Sequence, residues 1–200
     1  MLPLSFVFYG VFSIFNDIVG GFFFCFSLLI PLLYFSNWDY RLIFHRLSRN
    51  EIILAFLMFA IYMVYSIAMG SALEYFHLVP TDAAPPFDVN IGMTVSLIFS
   101  MMGEELLKFI PLMFFMRLFY RFTENRNLSL AISIVIVLIG FGMLHYDPAS
   151  SSIASVLLLQ GVGSLVEMYG YIKTKNLFVP YISHLLTDGS VFVLILLNII

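Results

Sequence analysis

Charged residues are scarce in this chain of 200 residues: 10% are Asp, Glu, Lys or Arg, while 62% are hydrophobic. Soluble domains carry about 25% charged residues, so this composition excludes an ordinary soluble domain and indicates an integral membrane protein. With nine basic residues in all, a basic groove for nucleic acid is not expected. The single cysteine, Cys25, excludes an internal disulfide. The first forty residues contain no Lys or Arg, which argues against the charged start of a cleavable signal peptide.

Long apolar runs are what the chain does have. A run of about 18 or more apolar residues is typical of a membrane-spanning helix. Six such runs occur, at residues 18–35, 52–73, 91–119, 128–145, 151–172 and 177–200. Residues 1–15 form a shorter run, which is either a seventh crossing or a segment at the membrane interface. We therefore predict an all-α polytopic membrane protein with one transmembrane domain over residues 1–200, in which six or possibly seven helices surround a buried polar site.

The basic residues predict the orientation of these spans. Eight of the nine lie on alternate loops, which the positive-inside rule assigns to the cytoplasm: Arg41, Arg46 and Arg49, then Arg117, Arg121 and Arg126, then Lys173 and Lys175. The ninth is Lys108, which lies within the third apolar run. A lysine at that position requires a specific reason.

Two glutamates accompany this lysine inside the membrane. Gly103 follows twelve uncharged residues, 91–102, and Glu104 and Glu105 come directly after it; Lys108 lies one helical turn after Glu104. A charged side chain at the centre of a bilayer costs about 2.5–3.5 kcal/mol on insertion scales. Adjacent carboxylates also repel, so at least one is expected to be protonated or paired. A cost of this size indicates a catalytic role for these charged residues. A buried structural ion pair is the alternative.

Two further motifs lie on later spans. Phe141 and His145 are four residues apart, as are His184 and Asp188, so each pair shares one helix face. Helix packing is expected to bring these faces and the glutamates to one cavity. The residue types suit hydrolysis, because a buried carboxylate can take a proton from water and a histidine can donate a hydrogen bond to an oxyanion. An aspartate one turn from a histidine can fix its tautomer and orientation.

The three motifs in this order resemble those of the CPBP (ABI) intramembrane endopeptidases, which include the type II CAAX prenyl endopeptidases. The family pattern is a double glutamate followed by a basic residue, then Phe-x-x-x-His, then His-x-x-x-Asn/Asp. The resemblance covers about the last 110 residues, so a catalytic core over residues 91–200 is expected. It implies cleavage of a peptide bond, with Glu104 or Glu105 activating water and His145 and His184 assisting. Supporting roles are expected for the remaining motif residues, Lys108, Phe141 and Asp188.

The first motif departs from the usual family pattern. The family generally has an arginine four residues after the second glutamate, where this chain has Phe109. Its basic residue, Lys108, comes one place earlier, and the resulting Glu-Glu-x-x-Lys resembles the first motif of the PrsW proteases. Glu167, near the end of the fifth span, either supports the site or is an interfacial carboxylate.

Three expectations concern ligands, partners and location. We expect a glutamate mechanism without a cofactor, with a zinc site of Glu104, His145 and His184 as the alternative. The expected partners are membrane lipid and a peptide or protein substrate, possibly prenylated, and no nucleic acid. The location would be the cytoplasmic membrane in a bacterium or the endoplasmic reticulum membrane in a eukaryote. The competing functions are a proton- or ion-coupled carrier, and a non-catalytic immunity or scaffold protein.

One geometric difficulty accompanies this interpretation. At about 1.5 Å per residue, Glu104 lies about 20 Å from the cytoplasmic end of its span, His145 about 25 Å and His184 about 10 Å. Straight helices with these bounds do not bring the residues to one level. The sequence therefore predicts a broken or tilted helix, a connection over residues 117–127 that enters the membrane, or a shifted boundary.

Overall fold

The computed structural model describes residues 7, 11, 16–78, 90–148 and 150–197. Within these ranges the chain is helical and forms no β-strand, which confirms the predicted all-α class. The long helices are α1 (Asp17–Phe35), α2 (Arg49–Tyr75), α3 (Ile91–Thr123), α4 (Arg126–Leu144), α5 (Ile153–Thr174) and α6 (Phe178–Leu196). A short 3₁₀ turn, Tyr40–Leu42, lies between α1 and α2. Each of the six predicted spans corresponds to one of these helices. The prediction for residues 1–15 lies outside the described residues, apart from Val7 and Val11.

Five of the six helices are long and apolar enough to cross a membrane on length and composition alone; α3 is the exception. It carries the intramembrane glutamates and lysine, and it is also the longest helix, with 33 residues. At 1.5 Å per residue it extends for about 50 Å, whereas the hydrocarbon core of a bilayer is about 30 Å thick. Because α3 is longer than the hydrocarbon core is thick, the distance from its C-terminus does not measure the depth of Glu104 in the membrane.

Local sequence signals explain where several helices begin. Asn16 caps α1, since its side-chain oxygen accepts from the Ile18 amide at 2.8 Å. Asn125 caps α4 in the same way, accepting from two backbone amides at 3.1 Å each. At the start of α2, the Glu51 carboxylate accepts from the backbone amide of Ser48 at 2.8 Å, and the Ser48 hydroxyl accepts from the Glu51 amide at 3.3 Å. Such caps satisfy amides that have no partner within the helix.

The chain divides into two compact units, and the prediction of a single domain stays a prediction. The first unit comprises residues 1–59, 86–107 and 169–200, and the second comprises residues 60–85 and 108–168. In the first unit α3 packs closely on α1. A Cβ added at Gly103 would lie 2.4 Å from the Phe24 ring, and the Ser96 hydroxyl donates to the Asp17 carbonyl at 2.9 Å. Only glycine allows this approach, directly before Glu104.

Helix α6 is held in the first unit at two points. Its start is tied to the loop after α1, because the amide of Leu177 donates to the carbonyl of Ile43 at 2.9 Å. Four residues further along α6, the hydroxyl of Tyr181 donates to the carbonyl of Ile98 on α3 at 3.0 Å. Since His184 lies one turn after Tyr181, the second bond fixes the histidine relative to α3.

In the second unit, α5 contains a π-helical stretch that packs on α4. After one α-helical turn, residues Val156–Val162 are π-helical, and α-helix resumes at Ser164–Thr174. The amide of Gly163 donates to the Leu158 carbonyl, five residues earlier, at 3.2 Å, and the Tyr65 hydroxyl donates to the same carbonyl at 2.7 Å. A Cβ added at Gly142 would lie 2.9 Å from the Val156 carbonyl oxygen and 3.1 Å from the Cα of Gly161. Wide π turns of this kind are rare in proteins as a whole, and those that occur are often found at functional sites.

Candidate active site

His184 is the centre of the polar cluster in the first unit. Its Nδ1 lies 2.8 Å from Oε1 of Glu105, a hydrogen-bonding distance. Its Nε2 lies 3.8 Å from Oε2 of Glu104 and 3.7 Å from Oδ2 of Asp188. An ionised carboxylate can only accept a hydrogen bond, so we assign the Nδ1 proton to His184 and the bond to Glu105 as acceptor. We call these four residues the glutamate–histidine cluster.

The two glutamates differ in burial as well as in contact. The side chain of Glu105 is 3% exposed and is hydrogen bonded to His184, whereas the side chain of Glu104 is 21% exposed. A separation of 3.8 Å between Glu104 and His184 is too long for a direct hydrogen bond, but it is within the span of a water molecule that bonds to both. Glu104, the more exposed glutamate, is therefore placed so that one water molecule could bridge it to the imidazole of His184.

The contact between α3 and α6 answers part of the geometric difficulty set by the sequence. Glu105 and His184 are in hydrogen-bond contact although they were expected at different depths. The physical reason is the length of α3, which at about 50 Å exceeds the thickness of the hydrocarbon core, so that the end of this helix is a poor reference for depth. His145 belongs to the other unit and does not enter this comparison.

A second polar cluster lies in the second unit and contains Lys108. Its ammonium forms a short ion pair with Oε2 of Glu167, and the two side chains are only 3% and 2% exposed. The same ammonium lies 4.8 Å from the centroid of the Phe141 ring, within the range of a cation–π interaction. A buried ion pair with an additional ring contact satisfies a charge that would otherwise be very costly in a membrane.

Phe141 connects this ion pair with His145. The two rings pack edge to face, with centroids 4.7 Å apart and planes at 62°. The Nδ1 of His145 lies 3.0 Å from the carbonyl oxygen of Phe141, which can only accept, so Nδ1 is the donor. His145 itself follows the last residue of α4 and is exposed. We call Lys108, Phe141, His145 and Glu167 the lysine–glutamate cluster.

The structure thus groups the predicted site residues within each unit. Glu104, Glu105, His184 and Asp188 come together in the first unit, and Lys108, Phe141 and His145 come together in the second. Glu167 joins the second group, whereas the sequence left it open between support and an interfacial carboxylate. The sequence does contain a signal for a buried role of Glu167, because it is the only charged residue within the predicted fifth span, 151–172.

The donor atoms of the first unit also bear on the zinc alternative. Nε2 of His184 and Oε2 of Glu104 are 3.8 Å apart, a spacing that suits two ligands of one zinc ion. The bond from Nδ1 of His184 to Glu105 resembles the outer carboxylate that orients a metal-binding histidine. Glu104 and His184 therefore offer two of the three protein ligands that a catalytic zinc ion requires. The third member of the predicted set, His145, lies in the second unit.

Comparison with known proteins identifies the motif-bearing part of the chain. The model of a family described as type II CAAX prenyl endopeptidase Rce1-like matches residues 86–190, more than half of the chain. The matched stretch contains every residue of both clusters. No curated protein and no solved structure gives a significant match.

Proposed function

The chain belongs to the Rce1-like family of type II CAAX prenyl endopeptidases, and we propose that it hydrolyses a peptide bond of a lipidated substrate with water activated by Glu104. Membership in this family indicates a protease, and the apolar helices make it an integral membrane protein. The family membership favours the endopeptidase over the carrier that the sequence left as an alternative. The observation that carries the proposal is the position of His184 between two glutamates of unequal exposure.

In the first step Glu104 acts as general base. Its carboxylate is the more exposed of the two and faces Nε2 of His184, so a water molecule between them would have an acceptor for its proton and a ring to orient it. The water oxygen bonds to the carbon of the scissile carbonyl, while Glu104 takes the proton. Holding water and base at this distance also removes much of the entropic cost of the encounter.

Glu105 and Asp188 position His184 for that step. Because Glu105 accepts from Nδ1, the neutral ring has its lone pair on Nε2, which is the nitrogen near Glu104. Asp188, one turn along α6 and 3.7 Å from Nε2, limits rotation of the ring. Exchanging the roles of the two glutamates would require breaking the bond between Glu105 and His184.

The motif resemblance alone supports a role for His145 at the oxyanion that develops on the carbonyl oxygen. Its Nδ1 donates to the carbonyl of Phe141, so Nε2 is the nitrogen left to face the substrate, and it can donate to the oxyanion when both ring nitrogens carry a proton. Collapse of the tetrahedral intermediate then breaks the carbon–nitrogen bond. The proton held by Glu104 passes to the leaving amine, which balances the reaction.

A direct test uses the purified protein in vesicles with a farnesylated peptide that ends in Cys-a-a-X. In water enriched in ¹⁸O, we expect release of the terminal tripeptide and one ¹⁸O atom in the new carboxyl group of the prenylated cysteine. The matching peptide without the lipid is the control for substrate class. Failure to cleave either peptide would contradict the proposal, and cleavage of both at equal rates would reject the lipidated substrate alone.

The same preparation decides between the metal-free site and zinc. If zinc were bound, Glu104 and His184 would hold it, and it would supply a water of lowered pKa. We expect full activity after dialysis against a chelator and no stoichiometric zinc by elemental analysis. Loss of activity that zinc restores would replace the metal-free proposal.

A further inference from the structure

Glu167 has a defined place in the lysine–glutamate cluster although it belongs to none of the three sequence motifs. It lies on α5, one turn beyond the end of the π-helical stretch, and its side chain is 2% exposed. A carboxylate this deeply buried needs compensation for its charge, and the ammonium of Lys108 forms an ion pair with it. The π turns matter here, because an inserted residue rotates everything that follows along a helix by about 100°.

The contacts continue from this ion pair to the exposed histidine. Lys108 has its ammonium 4.8 Å from the ring centroid of Phe141, and that ring packs edge to face on His145 at 4.7 Å. The backbone carbonyl of Phe141 holds Nδ1 of His145 at 3.0 Å. Phe141 is 5% exposed, so its ring is confined, whereas His145 lies at the end of α4 where the backbone bonds of the helix stop.

We propose that Glu167 is a positioning residue for His145, acting through the ammonium of Lys108 and the ring of Phe141. Glu167 fixes the ammonium over the ring, and the ring fixes the orientation of the imidazole. Without the carboxylate, the ion pair no longer holds the ammonium over the ring, and the cation–π contact that orients the ring is weakened. The catalytic meaning of this arrangement rests on the proposed function, because His145 is assigned a role there. The structural part, control of the His145 ring, stands without it.

Chemical labelling of histidines measures this control without any substrate. Diethyl pyrocarbonate acylates the unprotonated imidazole nitrogen, and the extent at each histidine is read by mass spectrometry of peptides. His45 and His77 are both exposed and serve as internal references. We expect Glu167→Gln to raise the labelling rate of His145 about threefold or more relative to His45. Glu124→Gln, which changes an exposed carboxylate in the same way, should alter neither rate.

A second variant tests the route of the effect. Phe141→Leu removes the ring that connects the ion pair to the histidine, so it should raise His145 labelling by itself. Adding Glu167→Gln to Phe141→Leu should then produce no further increase, whereas a merely structural role of Glu167 would give effects that multiply. Multiplying effects, or an unchanged His145 rate in Glu167→Gln, would overturn the proposal.

Loss of folding is separated from loss of positioning by the reference histidines. If Glu167→Gln accelerates His45 and His77 as much as His145, the variant has unfolded, and the double variant Lys108→Leu with Glu167→Leu replaces it. That variant removes both members of the ion pair, so neither is left buried without the other, and it also lacks the ammonium. His145 labelling alone should therefore rise, and labelling equal to the wild type would overturn the proposal. A wild-type protein that cleaves no peptide but shows these labelling changes would reject only the proposed function.

Discussion

The two clusters differ in what their charges are arranged to do. In the glutamate–histidine cluster, three carboxylates lie within 4 Å of one imidazole, and of these three the Glu105 carboxylate is at hydrogen-bond distance. In the lysine–glutamate cluster, one ammonium meets one carboxylate directly and the ring of Phe141 besides. The first arrangement has acceptors and distances suited to proton transfer. The second has its charges closely paired and suits the fixing of side chains. A buried charge is therefore not by itself a sign of catalysis.

The largest effect expected from this contrast is that of Glu104→Gln. Loss of a general base typically costs about 10²- to 10⁴-fold in rate, and the amide is similar in shape to the carboxylate, so turnover should fall by that factor. Thermal stability in detergent should stay as in the wild type. The control is Glu74→Gln, at the exposed end of α2. Turnover near the wild-type level in Glu104→Gln would contradict the assignment of proton transfer to the glutamate–histidine cluster.

The lysine–glutamate cluster should respond in stability, and in a way that depends on whether one charge or both are removed. Glu167→Gln leaves Lys108 buried without its carboxylate, and breaking a buried pair in this way costs about 3–5 kcal/mol. The double variant Lys108→Met with Glu167→Leu removes both charges and should recover most of that loss. Reversible unfolding in mixed micelles measures both. A double variant less stable than Glu167→Gln would contradict the pairing.

A smaller effect is expected from the glycine contact that holds α4 on the π-helical stretch. Alanine at Gly142 would place a Cβ 2.9 Å from the carbonyl oxygen of Val156, which is backbone and cannot move away alone. Overpacking of this kind costs about 1–3 kcal/mol, so the melting temperature should fall. Gly140, two residues earlier on the same helix, has nothing within 4 Å of such a Cβ. Gly140→Ala should be neutral, and an equal loss in both variants would argue against the close contact.

The smallest effect should come from Asp188→Asn. Its side chain is 36% exposed and lies 3.7 Å from His184, so its electrostatic contribution is strongly screened by solvent. Interactions of such pairs amount to about 0–1 kcal/mol, which corresponds to at most about a fivefold fall in turnover. A much larger fall in turnover, with stability unchanged, would show that Asp188 takes a direct part in the reaction.

Much of the fold followed from local sequence. Each predicted apolar run became one helix, since the backbone must satisfy its own hydrogen bonds in a bilayer and a helix does so whatever its neighbours. The pairing of His184 with Asp188 also followed, because residues four apart share a helix face. The ion pair of Lys108 with Glu167 could not be predicted from residue spacing. Helical spacing drew attention to Glu104, one turn before Lys108, whereas Glu167 lies 59 residues further along the chain.

Hydropathy and spacing alone determined that this chain is an all-α membrane protein with carboxylates, histidines and a lysine distributed over several apolar spans, because these properties depend on neighbours within one or two turns. The distribution of those residues among their partners depended on the tertiary structure. The bond from His184 to Glu105 rather than Glu104, and the place of Glu167, result from how helices rotate and pack. The π-helical turns of α5 and the close glycine contacts determine those rotations. Neither feature produces a repeating pattern of residues that could be recognised in the sequence.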